Sequence, residues 1–173
     1  MSDPTLNDQA LELAPLLKRA GSVIESEIRG WSMGGTLVPG TRIRIHCGTA
    51  ASYPVGTVIA FVGGRGLVGH RVVGQGRRRA GGALLLTRGD GTLVCDPPIE
   101  PERILGEVIE WRDGVTWRTL SAAPPRGLLG RGTAAGTLLL VRTALAVDPR
   151  LAARIAVLLA AVARRLAPHA PNP

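Results

Sequence analysis

The chain has 173 residues, of which 45% are hydrophobic, so it can bury a core and is not a disordered chain. Its net charge is +8, but the basic residues are scattered apart from the run 77–79, and only 3% of residues are aromatic. Single-strand binders stack bases on aromatic side chains, so this composition argues against nucleic-acid binding. Cys47 and Cys95 form no Cys-x-x-Cys pair, so we expect two buried thiols and predict no metal or other cofactor.

The N-terminal segment predicts a short amphipathic helix within residues 1–20. Segment 6–19 places apolar side chains on one helical face, namely Leu6, Ala10, Leu13 and Leu17. Pro15 weakens the middle of this helix, and Gly21 is a typical residue for its end. Residues 1–20 carry Asp3, Asp8 and Glu12 and lack the basic start and apolar core of a signal peptide, so we expect a cytoplasmic location.

The next hundred residues predict strands. RIRIHCG (42–48) alternates apolar and polar residues, while TVIAFVG (57–63) and ALLLTRG (83–89) are short β-rich runs. Glycine or proline separates nearly all of these runs. We therefore predict a mainly β domain over residues 21–120.

The C-terminal region predicts a Pro/Gly-rich connector (121–136), a helical hairpin (137–167) and a frayed tail (168–173). Asp148 is expected to cap the second helix, with Pro149 at its first position. One face of that helix carries a stripe of large apolar residues, Leu151, Ile155, Leu158, Val162 and Leu166. The uninterrupted apolar run 155–163 is too short for a membrane span, which needs about 20 residues. We expect the hairpin to pack on the domain or on a partner protein, and the alternative is an interfacial helix on lipid.

Ser32 lies in GWSMGGTL (30–37), at the start of a glycine-rich turn. It is either an ordinary turn serine or a nucleophile, and a serine nucleophile needs an adjacent base. The only lysine, Lys18, lies upstream in the predicted helix, which leaves histidine. His70, in the strand-like run GLVGHRVVG, fits a general base, although it also fits a structural histidine.

A third group should orient such a histidine and stabilise its charged form. TRGDGTLVCD (87–96) offers Asp90 and Asp96. Asp90 stands in a Gly-Asp-Gly turn, where local backbone bonding already favours aspartate. Asp96 precedes two prolines and is explained less well by turn chemistry. Composition and spacing alone neither establish nor exclude a catalytic triad.

The order of the motifs resembles the type I signal peptidases and, more broadly, the signal-peptidase/LexA-like serine peptidase superfamily. The resemblance covers about residues 22–110 and rests on five boxes, which are GWSMGGTL (30–37), GTRI (40–43), GTVIAF (56–61), TRGDG (87–91) and GEV (106–108). HRVV (70–73) is similar to the histidine motif of the endoplasmic-reticulum, archaeal and some Gram-positive members, which use a Ser-His site. The resemblance implies a coiled β fold of this superfamily.

The resemblance also implies roles for individual residues. Ser32 would attack the scissile carbonyl, His70 would take its proton, and Asp96 would hold the imidazole. Asp90 and Met33 would be supporting residues of the site. The implied partner is an extended peptide or precursor polypeptide, from which a leader or signal-like peptide is cleaved by this serine endopeptidase.

The chain departs from the family pattern at several turn positions, Gly35, Thr41, Thr57, Gly91 and Thr92. The usual N-terminal membrane anchor is also not seen, which favours a specialised peptidase over a housekeeping one. Two alternatives stay open. One is a peptide-binding module with a degraded site. The other is a LexA-like regulator that cleaves itself at Ala20-Gly21, although this bond lies only twelve residues before Ser32.

Overall fold

The computed structural model describes residues 6–48, 53–63, 66–77, 82–120, 122 and 131–166. In chain order the elements are helix α1 (Leu6–Ala20) and strands β1 (Val23–Glu27), β2 (Arg42–Cys47), β3 (Val58–Gly63), β4 (Gly66–Arg77) and β5 (Ala83–Arg88). A 3-10 turn (Pro101–Arg103), β6 (Ile104–Asp113), β7 (Thr116–Thr119), α2 (Arg131–Val147) and α3 (Pro149–Leu166) follow. The predicted mainly β fold with an N-terminal helix and a C-terminal helical hairpin is confirmed.

The seven strands form one antiparallel sheet in the order β1-β2-β6-β3-β4-β5, with β7 paired to β6. β4 is long enough to pair with two different strands along its length. Its first half, Gly66 to Arg71, pairs with β3, and its second half, from Arg71 onward, pairs with β5. The outer edge of the first half therefore has no partner among the described strands. β1 also lies at an edge of the sheet.

The core consists of three clusters of buried side chains. The first packs α1, β1, β2 and the loop after β1 together, and it contains Met33 and Leu37. The second lies around β3, β4 and β5 and contains Phe61 and Val72. The third packs the hairpin against β5 through Leu84 and Leu86.

Helix α1 continues through Pro15 to Ala20, although the proline removes one backbone donor from its middle. Ala14, beside the proline, is 3% exposed and packs in the first cluster, which supports the helix at this point. The helix ends at Ala20, and Gly21 caps it with a φ of 58°, which lets the Ser22 N–H bond the Leu17 carbonyl at 3.2 Å.

Helix α2 begins at Arg131, six residues before the predicted start of the hairpin at 137. The prolines of the connector lie further upstream, and the glycines in RGTAAG weaken a helix without stopping it. Asp148 caps α3 as predicted, because its Oδ1 accepts the Arg150 N–H at 2.8 Å. The tail 168–173, with His169, and the arginines at 78 and 79 lie outside the described residues.

The face of α3 that packs shares only Ile155 with the described part of the predicted apolar stripe. Ala152 and Ala156 are fully buried against the rest of the molecule, whereas Leu158 of the stripe is 65% exposed. None of the helices in the described ranges is both long enough and apolar enough to cross a membrane.

Candidate active site

Ser32 lies in a tight turn after β1 that is fixed to the core on one side. The Gly34 N–H bonds the Trp31 carbonyl at 2.9 Å, and Met33 and Leu37 are each only 1% exposed. Met33, a predicted supporting residue, thus anchors the turn by burial. Trp31, on the other side of Ser32, is 67% exposed. The serine is therefore presented at the surface by a turn whose neighbouring side chains hold it in place.

The TRGDG turn packs directly on the backbone of Ser32. The Gly91 N–H donates to the Ser32 carbonyl at 2.8 Å. A Cβ added at Gly89 would collide with that carbonyl oxygen, and one added at Gly91 would lie 2.9 Å from Gly34. Only glycine allows this close approach. Glycine is therefore needed on both sides of Asp90, because these two residues pack against the turn that carries Ser32.

His70 lies on β4 opposite Ile59 of β3 and is 7% exposed. Its ring meets Phe61 edge-on, with the ring centroids 6.1 Å apart. The strand and this aromatic contact orient the imidazole, and its Nε2 lies 2.8 Å from the Ser32 Oγ. The predicted nucleophile and base are therefore within hydrogen-bond distance.

Asp96 reaches His70 because the chain after β5 turns back along β5. Leu85 and Ile99 exchange two backbone hydrogen bonds of 3.0 and 2.8 Å, and the Asp96 N–H bonds the Thr87 carbonyl at 2.8 Å. The Asp96 Oδ2 lies 2.6 Å from the His70 Nδ1. Of the sequence candidates, the structure brings Ser32, His70 and Asp96 into one continuous chain of hydrogen bonds.

Thr87 is a member of the site that the sequence analysis missed. Its hydroxyl donates to the Asp96 Oδ2 at 2.7 Å, and the residue is fully buried. The same oxygen therefore accepts from both Thr87 and His70. Since a carboxylate has no proton to donate, the His70 Nδ1 carries the hydrogen of this bond. In the neutral ring, the Nε2 is then the acceptor that faces the Ser32 hydroxyl.

Asp90 does not contact His70. Its carboxylate forms a two-bond ion pair with Arg71, from Nε to Oδ1 at 2.9 Å and from Nη2 to Oδ2 at 2.7 Å. Both side chains are only 4% exposed, and the Arg71 Nη1 also donates to the Gly56 carbonyl at 2.6 Å. This Arg71–Asp90 clamp joins the strand of His70 to the turn that packs on Ser32. Asp90 is therefore a positioning residue of the site.

A cleft of about 460 Å³ opens beside Ser32. One wall is the end of β1 and the residues after it, 26–30, and the other is the beginning of β4, 66–69. Both strands have an edge that no described strand occupies. The apolar lining of the cleft consists of Ile28, Met33, Ile43, Ala60, Leu67 and Val68. The cleft, which ends at Ser32, can therefore hold a peptide in extended conformation.

The remaining candidate groups lie elsewhere. Lys18 donates to the Glu102 carbonyl at 3.0 Å, and burial lowers the pKa of its ammonium. Cys47 and Cys95 are free and buried, as predicted, and burial raises the pKa of the Cys95 thiol to about 11. In the part of the chain that the structure describes, no three His, Cys, Asp or Glu side chains are grouped to hold a metal ion.

Comparison of the chain with protein-family models, curated proteins and solved structures found no match. The geometry of the site and the order of its motifs are therefore the basis for inferring function.

Proposed function

We propose that this protein is a serine endopeptidase that cleaves a leader or signal-like peptide through Ser32, His70 and Asp96. The observation that carries the proposal is the continuous chain of hydrogen bonds, 2.6 Å from Asp96 to His70 and 2.8 Å from His70 to Ser32, at the end of a cleft. A base within hydrogen-bond distance of the serine, itself oriented by a carboxylate, is the arrangement that activates a hydroxyl for attack on a carbonyl.

The reaction follows from these positions. The Ser32 Oγ forms a bond to the scissile carbonyl carbon as the His70 Nε2 takes its proton. The imidazolium is stabilised by Asp96, which stays ionised, and it then donates the proton to the leaving amine nitrogen as the peptide bond breaks. A water molecule, deprotonated by His70, attacks the resulting ester. The ester bond breaks, the proton returns to the Ser32 Oγ, and a free carboxylate product leaves.

The backbone N–H of Ser32 is available to stabilise the oxyanion. None of the described residues accepts a hydrogen bond from it. The turn is fixed by buried Met33 and by the bond from Gly91 to the Ser32 carbonyl, so this donor needs no rearrangement during the reaction. A single oxyanion donor of this kind contributes about 100- to 1000-fold in rate.

An extended peptide is the substrate that suits the cleft. The edges of β1 and of the first half of β4 both offer backbone donors and acceptors for strand addition. Gly66, Gly69 and Ala60 carry little or no side chain, so the backbone of a peptide can lie close to this part of the cleft wall. The resemblance of the motifs to signal peptidases supports a leader or signal-like peptide as the source of that chain.

The self-cleaving alternative is disfavoured by the conformation of Ala20-Gly21. Ala20 is the last residue of α1, and the next two N–H groups, of Gly21 and Ser22, bond the Lys18 and Leu17 carbonyls at 3.2 Å. The bond would have to leave this helix cap and extend into the cleft before Ser32 could attack it. The peptide-binding alternative uses the same cleft and differs only in lacking turnover.

Cleavage by the purified full-length protein tests the proposal. The protein is incubated with polypeptides from a native-host lysate whose own proteases have been inactivated by heat, and new N-termini are identified by mass spectrometry. We expect new termini with the natural protein and none with Ser32→Ala. Ser26→Ala is the matched control, because Ser26 lines the same cleft without a base beside it, and it should give the same termini as the natural protein. Equal termini from the Ser32→Ala protein would refute the proposal.

A further inference from the structure

The C-terminal hairpin exposes seven large apolar side chains, which are together called the outer face. Its members are between 43% and 67% exposed, and they are Leu139, Leu140, Val147, Leu151, Val157, Leu158 and Val162. Single exposed apolar side chains are ordinary in soluble proteins, whereas a group of them on two neighbouring helices is typical of a binding surface. The outer face belongs to both helices and lies outside the candidate active site.

The packing of α3 explains why these side chains are outside. Ala152 and Ala156 are fully buried, with Ile155 packed beside them, and the small alanine side chains let the helix approach α2 closely. In an α-helix, positions 151, 158 and 162 project about 100–140° away from the centre of that alanine face. The leucine and valine side chains therefore remain on the surface.

The outer face is also positively charged. Arg142, Arg150 and Arg154 are exposed, and none of them forms an ion pair within the described part of the chain. Arg150 and Arg154 are one helical turn apart and lie between Leu158 on one side and Val157 on the other. Segment 131–166 contains six arginines and a single acidic residue, Asp148, whose carboxylate caps α3.

We propose that the outer face docks on an anionic membrane surface, with both helices lying parallel to the bilayer at the headgroup level. Exposed leucines and valines that flank unpaired arginines have the chemistry of an interfacial helix, since the apolar side chains enter the acyl boundary and the guanidinium groups meet lipid phosphates. A second copy of this chain would bring the same arginines to the same face, so like charges oppose a dimer there. This docking goes beyond the proposed peptidase function and does not depend on it.

Vesicle sedimentation of the full-length protein tests this proposal. The vesicles are phosphatidylcholine alone or phosphatidylcholine with phosphatidylglycerol. We expect binding to the anionic vesicles only. Leu151→Gln with Leu158→Gln should abolish most of the binding, because both residues are exposed and their substitution leaves the core intact. Arg150→Gln with Arg154→Gln should weaken binding about 25-fold, since one arginine near an anionic surface contributes about five-fold.

Matched controls separate the outer face from the overall charge of the protein. Arg19→Gln with Arg103→Gln removes the same two charges at exposed positions on α1 and the 3-10 turn. Val115→Gln removes an apolar side chain that is 86% exposed in the β6–β7 turn. Both should bind anionic vesicles as the natural protein does. Circular dichroism confirms that every variant is folded.

Several results would overturn the proposal. The protein would fail to sediment with anionic vesicles, or it would bind neutral vesicles equally well. The Arg19 and Arg103 control could also weaken binding as much as the Arg150 and Arg154 variant does. Analytical ultracentrifugation that finds a dimer dissociated by the Leu151 and Leu158 substitutions would assign the outer face to a second copy instead. Binding that fails with vesicles but succeeds with an acidic protein partner would assign it to that partner.

Discussion

The buried Arg71–Asp90 clamp leads to a quantitative prediction about folding. Asp90→Asn keeps the size of the side chain but removes the carboxylate charge that pairs with the Arg71 guanidinium, a group only 4% exposed. Removing one partner of a buried ion pair typically costs about 3–5 kcal/mol, because the remaining charge stays desolvated. We expect a loss of this size in the free energy of unfolding. The chain contains a matched exposed pair, Arg118 with Asp113, at 3.0 Å and with side chains 61% and 50% exposed. Asp113→Asn should therefore cost under about 1 kcal/mol.

Urea unfolding followed by circular dichroism measures both variants without any substrate. Arg71→Met combined with Asp90→Leu should recover part of the lost stability, since it removes both charges together. The recovery is incomplete because the Gly56 carbonyl loses the Arg71 donor at 2.6 Å. If Asp90→Asn destabilised the protein no more than Asp113→Asn, the clamp would not hold the β4 strand and the TRGDG turn together as described.

Three further predictions concern single residues in and beside the site. Thr87→Val removes the hydroxyl that donates to Asp96 at 2.7 Å, and a bond to a charged group is worth about 1.5–3 kcal/mol, so kcat/KM should fall about 10- to 100-fold. Gly89→Ala places a methyl group against the Ser32 carbonyl, and the displaced nucleophile should lower kcat by about 100-fold. The pKa of the Cys95 thiol is raised to about 11 by burial, so only about one thiol in a thousand is ionised at pH 8, and alkylation by iodoacetamide should be slow. This pKa lies above its ordinary value of 9.0. The buried thiol's contribution to the free energy of unfolding is therefore present below its ordinary pKa of 9.0 and is lost as the pH rises towards about 11.

Each of these predictions has its own control. Thr87→Ser keeps the hydroxyl and should retain activity, so equal kinetics for the Val and Ser variants would show that the bond to Asp96 has no role. Gly35→Ala adds a methyl group in the same serine turn, into open space, and should leave kcat unchanged. A similar loss in both glycine variants would contradict the packing argument. Alkylation of Cys95 in urea gives the reference rate, and a native rate equal to it would mean that the thiol is not buried.

The strands, and the side chains that meet in the candidate site, could be predicted because their signals are local. RIRIHC alternates with period two, and β2 has the corresponding alternation of buried and exposed residues. Ser32 and His70 stand in motifs whose order resembles one superfamily. Thr87 could not be found in this way, because its role arises from a register that joins two segments. Only the return of the chain along β5 places Asp96 opposite Thr87.

The partner of Asp90 and the packing face of α3 could not be predicted from the sequence, for related reasons. The Gly-Asp-Gly turn explains an aspartate locally, so nothing in the pattern identifies Arg71, nineteen residues away, as its partner. In α3, hydrophobicity identifies the leucine stripe as the apolar face. The structure buries Ala152 and Ala156, with only Ile155 of the stripe packed beside them, because close approach to α2 favours small residues. Periodicity predicts which residues share a face, but not which face packs.

N-terminal peptide mapping in cells of the native host tests the central hypothesis most directly. Cells that carry the natural protein are compared with cells that carry the Ser32→Ala or the His70→Ala form, each at equal abundance. We expect a set of protein N-termini that is present with the natural protein and lost with both variants. The residues before those termini would then define the preference of the cleft. Identical termini in all three strains would contradict the assignment of Ser32 and His70 as a catalytic pair.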